Sequence, residues 1–270
     1  MHAAGLALFL ALFGHDLDRA RPSILAAGRW SSGAGLVAVI VHRSFEPARA
    51  AGSFDGLLDG SLHALLWSSD AGATAGVQLL GLAFVALSFK RSSQSARTWG
   101  VVGTALIASS FAFMGHTATH EQRWLLGPAL IAHVLIVAFW FGALWPLYRV
   151  VRNEGSSIAG AAVARFSATA LWLVPMIFVA GLVLSVALTS FEALLTPYGV
   201  VLLAKIAGFG GLMVPAALNK WRYGPAIGAG HESAARAFGI LVRIEWVIIA
   251  AVLILASIMT SLFAPMPAAH

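Results

Sequence analysis

The sequence predicts an all-α polytopic membrane protein, a transmembrane bundle of about eight helices in a single integral-membrane domain over residues 1–270. Three observations predict it. The chain is 59% hydrophobic and only 10% charged, where a soluble domain carries about 25% charged residues; so few charges do not cover a water-facing surface. Several apolar runs have the length a bilayer asks of a helix, roughly 20 residues. None of them alternates apolar with polar positions, as the strands of a membrane β-barrel do.

Residues 2–14 (HAAGLALFLALFG) are apolar but short and read as a shortened first helix; no basic stretch precedes them and no clean small-residue cleavage site follows. Residues 23–42 form the second segment, which carries Arg29. Residues 43–71 are a polar connection with Arg43, Glu46, Arg49, Asp55 and Asp59. Within it LLDGSLHALLW (57–67) reads as a short interfacial helix with Trp67 at headgroup level. The third segment, about 72–89, opens on Gly72 and Gly76, a small-xxx-small spacing that lets helices approach closely. The fourth and fifth are 99–115 and 125–148, with Pro128 in the first turn of the fifth, where a missing N–H costs little. The sixth, 166–190, contains Pro175. The seventh, 198–218, contains Lys205, Gly208, Gly210, Gly211 and Pro215. The eighth, 238–263, carries Arg243 and Glu245 near its start.

Loop charges set an orientation. The connections 90–98 (Lys90, Arg91, Arg97), 149–165 (Arg149, Arg152, Arg165) and 219–237 (Lys220, Arg222, Arg236) are basic. The alternate ones are not: 116–124 has Arg123 alone and 191–197 has no base. Cytoplasmic loops are the basic ones, so the first set faces the cytoplasm. With eight helices both termini, and the 43–71 connection, lie on the periplasmic side of a bacterial inner membrane. Arg43 and Arg49 in that connection run against the rule. The net charge of +6 reports this loop bias and is no nucleic-acid signal.

That orientation gathers histidines. His2, His42, His63, His116, His120 and His270 fall at or near the outer face, and His133 lies roughly 12 Å into the fifth helix at 1.5 Å per residue. The stretch from Met114 to Trp145, MGHTATHEQRWLLGPALIAHVLIVAFWFGALW, holds three of them. The chain has no cysteine, so a soft metal is left to imidazole and thioether, a donor set that suits copper, with Met favouring Cu(I) over Cu(II). His116 and His120 are four apart and share a face if the fourth helix continues through Thr119. His133 approaches from the next helix, Met114 stands beside the pair, and Met259 and Met266 lie at the outer end of the last helix. For an isolated HxxxH at a helix end, two interfacial loop histidines are the commoner reading. His133 is harder to set aside, because an ionisable residue inside the membrane is functional by default.

Lys205 lies at a depth similar to His133 and needs a cavity, a partner, or a snorkelling route to the headgroups. Glu245 and Arg29 fall at matching depths on the inner side and are expected to pair. Asn219 most simply caps a helix end. No Walker motif, GxSxG, HExxH or GxGxxG context occurs, so no enzyme is expected.

Gly115–His116, His133 with WFGALW at 140–145, RFS at 165–167, Gly181, Tyr198–Gly199, Lys205, Asn219 and Glu245 resemble, in order and spacing, the CopD family, copper resistance protein D. The resemblance covers a core of about 72–263. It implies an eight-helix inner-membrane protein that moves copper from periplasm to cytoplasm, with His116 and His133 as copper ligands and His120 and Met114 as lesser candidates. It also implies a separate periplasmic CopC-like copper donor. The bilayer is the other partner, and assembly into a homo-oligomer is left open. Two other readings stay open from the residues: a b-type haem electron carrier with histidine axial ligands, and a copper-binding assembly factor without transport.

Overall fold

The computed structural model describes residues 1–90 and 94–262, and among them there is no strand. Arg91, Met266 and His270 lie outside the described residues, as does the side chain of His116. The helices are α1 (His2–Phe13), α2 (Arg21–Ala51), α3 (Gly60–Trp67), α4 (Asp70–Ser88), α5 (Gln94–Ser110), α6 (His116–Thr119), α7 (Arg123–Asn153), α8 (Ser156–Leu188), α9 (Pro197–Leu218), α10 (Gly224–Gly228) and α11 (Glu232–Leu262). Among the described residues six stretches are long and apolar enough to cross a membrane: 21–51, 70–88, 123–153, 156–188, 197–228 and 232–260. The all-α bundle is therefore that of a multi-pass membrane protein. The remaining two expected segments are short. α1 has 12 residues, about 18 Å, against a hydrocarbon core of about 30 Å; α5 has 17.

Contacts group the chain into two compact units, residues 1–16, 21–143 and 176–181 in the first and 17–20, 144–175 and 182–270 in the second. In the first, α1 is the core. Its sequence is apolar on every side, and such a helix must be covered on every side: Leu6 and Phe9 are fully buried, with α2, α4 and α5 packed around them. Gly5 lets α1 touch the backbone of α7, for a Cβ on Gly5 would lie 2.7 Å from Gly142 Cα. Thr104 of α5 donates to the Ala4 carbonyl at 3.3 Å. α4 and α5 cross at Gly81 and Gly103, where a Cβ on Gly81 would lie 2.8 Å from the Gly103 carbonyl oxygen. The close approach expected at Gly72 and Gly76 is not a helix crossing. A Cβ on Gly72 would meet the Trp67 backbone in the turn from α3, and Gly76 has nothing within 4 Å.

The polar connection is more helical than hydropathy suggests. α2 runs on to Ala51 and carries Arg43, Glu46 and Arg49 with it. Arg43 is only 8% exposed. Its Nη1 donates to Glu46 Oε2 at 3.1 Å and its Nη2 to the Leu66 carbonyl at 3.0 Å, and its guanidinium lies over the Trp67 ring, 5.4 Å from the centroid. The charge that weakened the loop count is thus spent fastening α3 to α2. The expected interfacial helix is α3, capped by Asp59, whose Oδ1 accepts from the backbone N–H groups of Ser61 and Leu62 at 2.9 and 3.0 Å.

In the second unit α9 packs on α11, and α8 meets α10 backbone to backbone, since a Cβ on Gly160 would lie 2.6 Å from Gly228 Cα. The basic stretch 149–165 is mostly helix: α7 ends at Asn153, α8 begins at Ser156, and the chain turns through Glu154 and Gly155. Charges there ride on helical extensions beyond the apolar runs. α7 also begins earlier than expected, at Arg123, so Pro128 stands in its second turn rather than its first.

Candidate metal centre

The loop that carries the histidines opens sooner than the hydropathy predicts. α5 ends at Ser110, and Phe111–Phe113 form one 3-10 turn. Met114 is extended (φ −135°, ψ 162°), and Gly115 has φ 77°. That positive φ suits glycine and breaks the helix. α6 is a single turn from His116, and His120 follows it in an extended conformation, φ −71° and ψ 144°. The fourth helix does not continue through Thr119; a separate single turn spans His116–Thr119 instead.

His120 has a local task. Its Nδ1 accepts from the Gln122 backbone N–H at 3.0 Å, and its carbonyl accepts from Arg123 N at 3.0 Å, so it starts α7. Accepting at Nδ1 places the proton of a neutral ring on Nε2. Metal ligation at Nε2 would move that proton to Nδ1 and break the bond to Gln122. Met114 is exposed, consistent with a rim position.

His133 sits ten residues beyond Arg123, about 15 Å along α7, and is half-buried. Its ring lies against Gly181 of α8. A Cβ built on Gly181 would lie 3.5 Å from His133 Cε1 and 3.7 Å from its Nδ1. The bare glycine therefore makes the bed for the imidazole. Among the described residues no group of three His, Asp or Glu side chains converges on a point that would hold a metal ion. The structure thus seats His133 against Gly181 and gives His120 a backbone partner.

The charged candidates separate in kind. Arg29 is exposed on α2 and Lys205 half-buried on α9. Glu245 of α11 is 2% exposed and accepts from Asn219 Nδ2 at 2.7 Å. Asn219 opens a π-helical segment, Asn219–Tyr223, of the kind often found at functional sites. Asn219 is 7% exposed, and its Oδ1 is buried without a donor among the described residues. The amide faces its N–H toward the carboxylate because only that orientation gives a donor to an acceptor. Sequence reading noticed both residues but not the pair. The available signal was a carboxylate in an apolar run, which needs a donor at similar depth.

Chemically, the two places differ. An imidazole ligates copper, whereas an amide oxygen beside a carboxylate suits a proton or a hard cation.

The family profile of copper resistance protein D, CopD, matches residues 160–259, somewhat over a third of the chain. The matched stretch runs from α8 into α11. Gly181, Lys205, Asn219 and Glu245 lie inside it; Met114, His116, His120 and His133 lie before it. The resemblance seen in the sequence holds over this C-terminal part. No curated protein and no solved structure matches the chain.

Proposed function

We propose that this multi-pass membrane protein, similar to copper resistance protein D over residues 160–259, binds copper at the periplasmic side of the bacterial inner membrane and passes it inward. The observation that carries the reading is the seat of His133. An imidazole is placed about 15 Å inside a spanning helix, with its ring facing Gly181, and that glycine falls in the matched stretch. His116 is the outer ligand of the proposal and Met114 the thioether that receives Cu(I) at the rim. His120 is the weakest member, since ligation would cost it the Gln122 bond. Both termini and the 116–124 connection face the periplasm in this proposal, and a CopC-like donor would deliver copper there. No nucleotide-binding motif is present, so a gradient or a cytosolic copper sink drives the movement.

The test is copper stoichiometry on purified protein. His116→Ala and His133→Ala are expected to lose the stoichiometric copper that wild type and His63→Ala retain. Retention by His133→Ala would reduce His133 to a packed core residue and remove the inward route. A Soret band in the purified protein would move the reading to a haem carrier. Copper bound by the outer histidines without flux into proteoliposomes would leave an assembly factor. Orientation is read separately, on a chain with no cysteine of its own: a Cys at Glu121 should label from the periplasmic side.

A further inference from the structure

Two guanidinium groups from different helices of the second unit settle on one tyrosine. Arg152, in the last turn of α7, donates from Nη1 to the Tyr148 hydroxyl at 2.8 Å, with its Cζ 5.6 Å from the ring centroid. Arg243 of α11 donates from Nε to the Gly239 carbonyl at 3.0 Å, and its Cζ lies 5.7 Å from the same centroid. Gly239 admits the ring, since a Cβ there would lie 2.9 Å from Tyr148 Cε2.

Neither guanidinium is among the ion pairs found at His15, His42, Arg43 and Arg49. A guanidinium carries five N–H donors, and each of these uses one on the protein. Both arginines are exposed, so the rest of each fork faces outward. Snorkelling alone would carry each arginine separately toward water. Here one ring gathers two like charges, each within 5.7 Å of its centroid, an arrangement that a nearby anion stabilises.

Depth and surroundings say which anion. Tyr148 closes the apolar run of α7, and Arg243 stands near the start of that of α11. The boundary between hydrocarbon and headgroups therefore passes at this level, where Tyr and Arg side chains meet lipid phosphates. Val247 stands four after Arg243, on its own face of α11 and on the hydrocarbon side, and is 61% exposed. It gives an acyl chain an apolar surface leading from the two cations.

We propose that Arg152, Tyr148 and Arg243 bind the phosphate of an anionic phospholipid, whose acyl chains run past Val247. The inference is independent of copper.

The experiment uses full-length protein in nanodiscs of phosphatidylcholine with increasing phosphatidylglycerol, and counts retained lipid by native mass spectrometry. It is run at about 1 M salt, where the screening length falls to roughly 3 Å and diffuse attraction is suppressed. Wild type is expected to retain phosphatidylglycerol in preference to phosphatidylcholine. R152Q/R243Q should weaken that retention about tenfold or more, as loss of charge-assisted hydrogen bonds does. R222Q/R236Q removes the same net charge elsewhere and should leave retention unchanged. If R152Q/R243Q does not fold, R152K/R243K keeps the charge but not the forks and should still weaken retention. Equal loss in both glutamine pairs would make this a diffuse basic face and overturn the site. So would no lipid preference in wild type. Inorganic phosphate competing phosphatidylglycerol off, and binding alone in phosphatidylcholine discs, would assign the site to free phosphate instead.

Discussion

His133 and Glu245 both place an ionisable side chain within a membrane-spanning helix, and the fold houses them differently. His133 is given room: the α8 backbone next to it carries no side chain at Gly181, and the ring rests at van der Waals distance from where a Cβ would be. Glu245 is given chemistry: an amide donor at 2.7 Å on a segment wound as a π-helix. A neutral imidazole is amphipathic and tolerates an apolar wall, so shape is enough to place it. A carboxylate loses far more on leaving water and needs donors wherever it is put. One site is therefore sensitive to volume and the other to hydrogen-bonding capacity.

The largest effect on stability is expected where capacity is removed. Asn219→Leu is close in volume but takes a donor from a buried carboxylate, and should cost about 1.5–3 kcal/mol in reversible unfolding from detergent. Glu245→Gln should cost less, because an amide still accepts from Asn219. Asn219→Leu with Glu245→Met should recover part of the single loss, since replacing both members of a hydrogen bond costs less than removing one. Strict additivity would mean that the 2.7 Å contact contributes nothing. The same cycle run with Arg29→Gln reads the ion pair that matching sequence depth suggests. A coupling of similar size would place the arginine in Glu245's network.

Gly181 should answer to volume alone. Gly181→Ala adds a Cβ at 3.5 Å from His133 Cε1, an ordinary contact, and should stay within about 1 kcal/mol of wild type. Gly181→Leu must displace the imidazole and should cost about 1–3 kcal/mol. In the copper reading it should also lower copper occupancy while removing no ligand. Full copper occupancy in Gly181→Leu, with stability reduced, would separate the packing role of Gly181 from the metal.

Much of the fold was legible in hydropathy, because a bilayer imposes a length on every apolar run. What hydropathy missed is where charged residues stay helical. Arg43 and Glu46 look like loop residues by composition, yet α2 carries them because each finds a partner within a turn or on α3. The expected continuation of the fourth helix into the HxxxH stretch stops short: Gly115 adopts φ 77°, and the stretch restarts as one separate turn, α6. His133 was legible as an ionisable residue in an apolar run. Gly181 was not legible as its seat, since a glycine gives no local sign of what faces it. Asn219 was read as a cap because its acceptor is 26 residues away.

The smallest expected effect lies outside the spanning helices, at the cap of α3, where a charge is held by local hydrogen bonds rather than by a buried partner. The Ser61 hydroxyl donates to Asp59 Oδ1 at 2.6 Å. That bond first, then the Leu62 N–H, holds the Asp59 carboxyl below its ordinary value. A carboxyl whose folded value is depressed contributes stability that is present above its unfolded value, about 3.9, and lost as pH falls through the folded one. Acidification below about pH 4 should therefore fray α3. Trp67 closes α3 and lies under the Arg43 guanidinium, so its fluorescence reports the change once the other tryptophans are replaced. Asp59→Asn keeps a capping oxygen without the charge and should flatten the acid-side slope while leaving neutral-pH fluorescence close to wild type. Asp59→Ala should lower α3 order at every pH. An unchanged acid-side slope in Asp59→Asn would mean that the Asp59 cap does not govern the acid response of this surface.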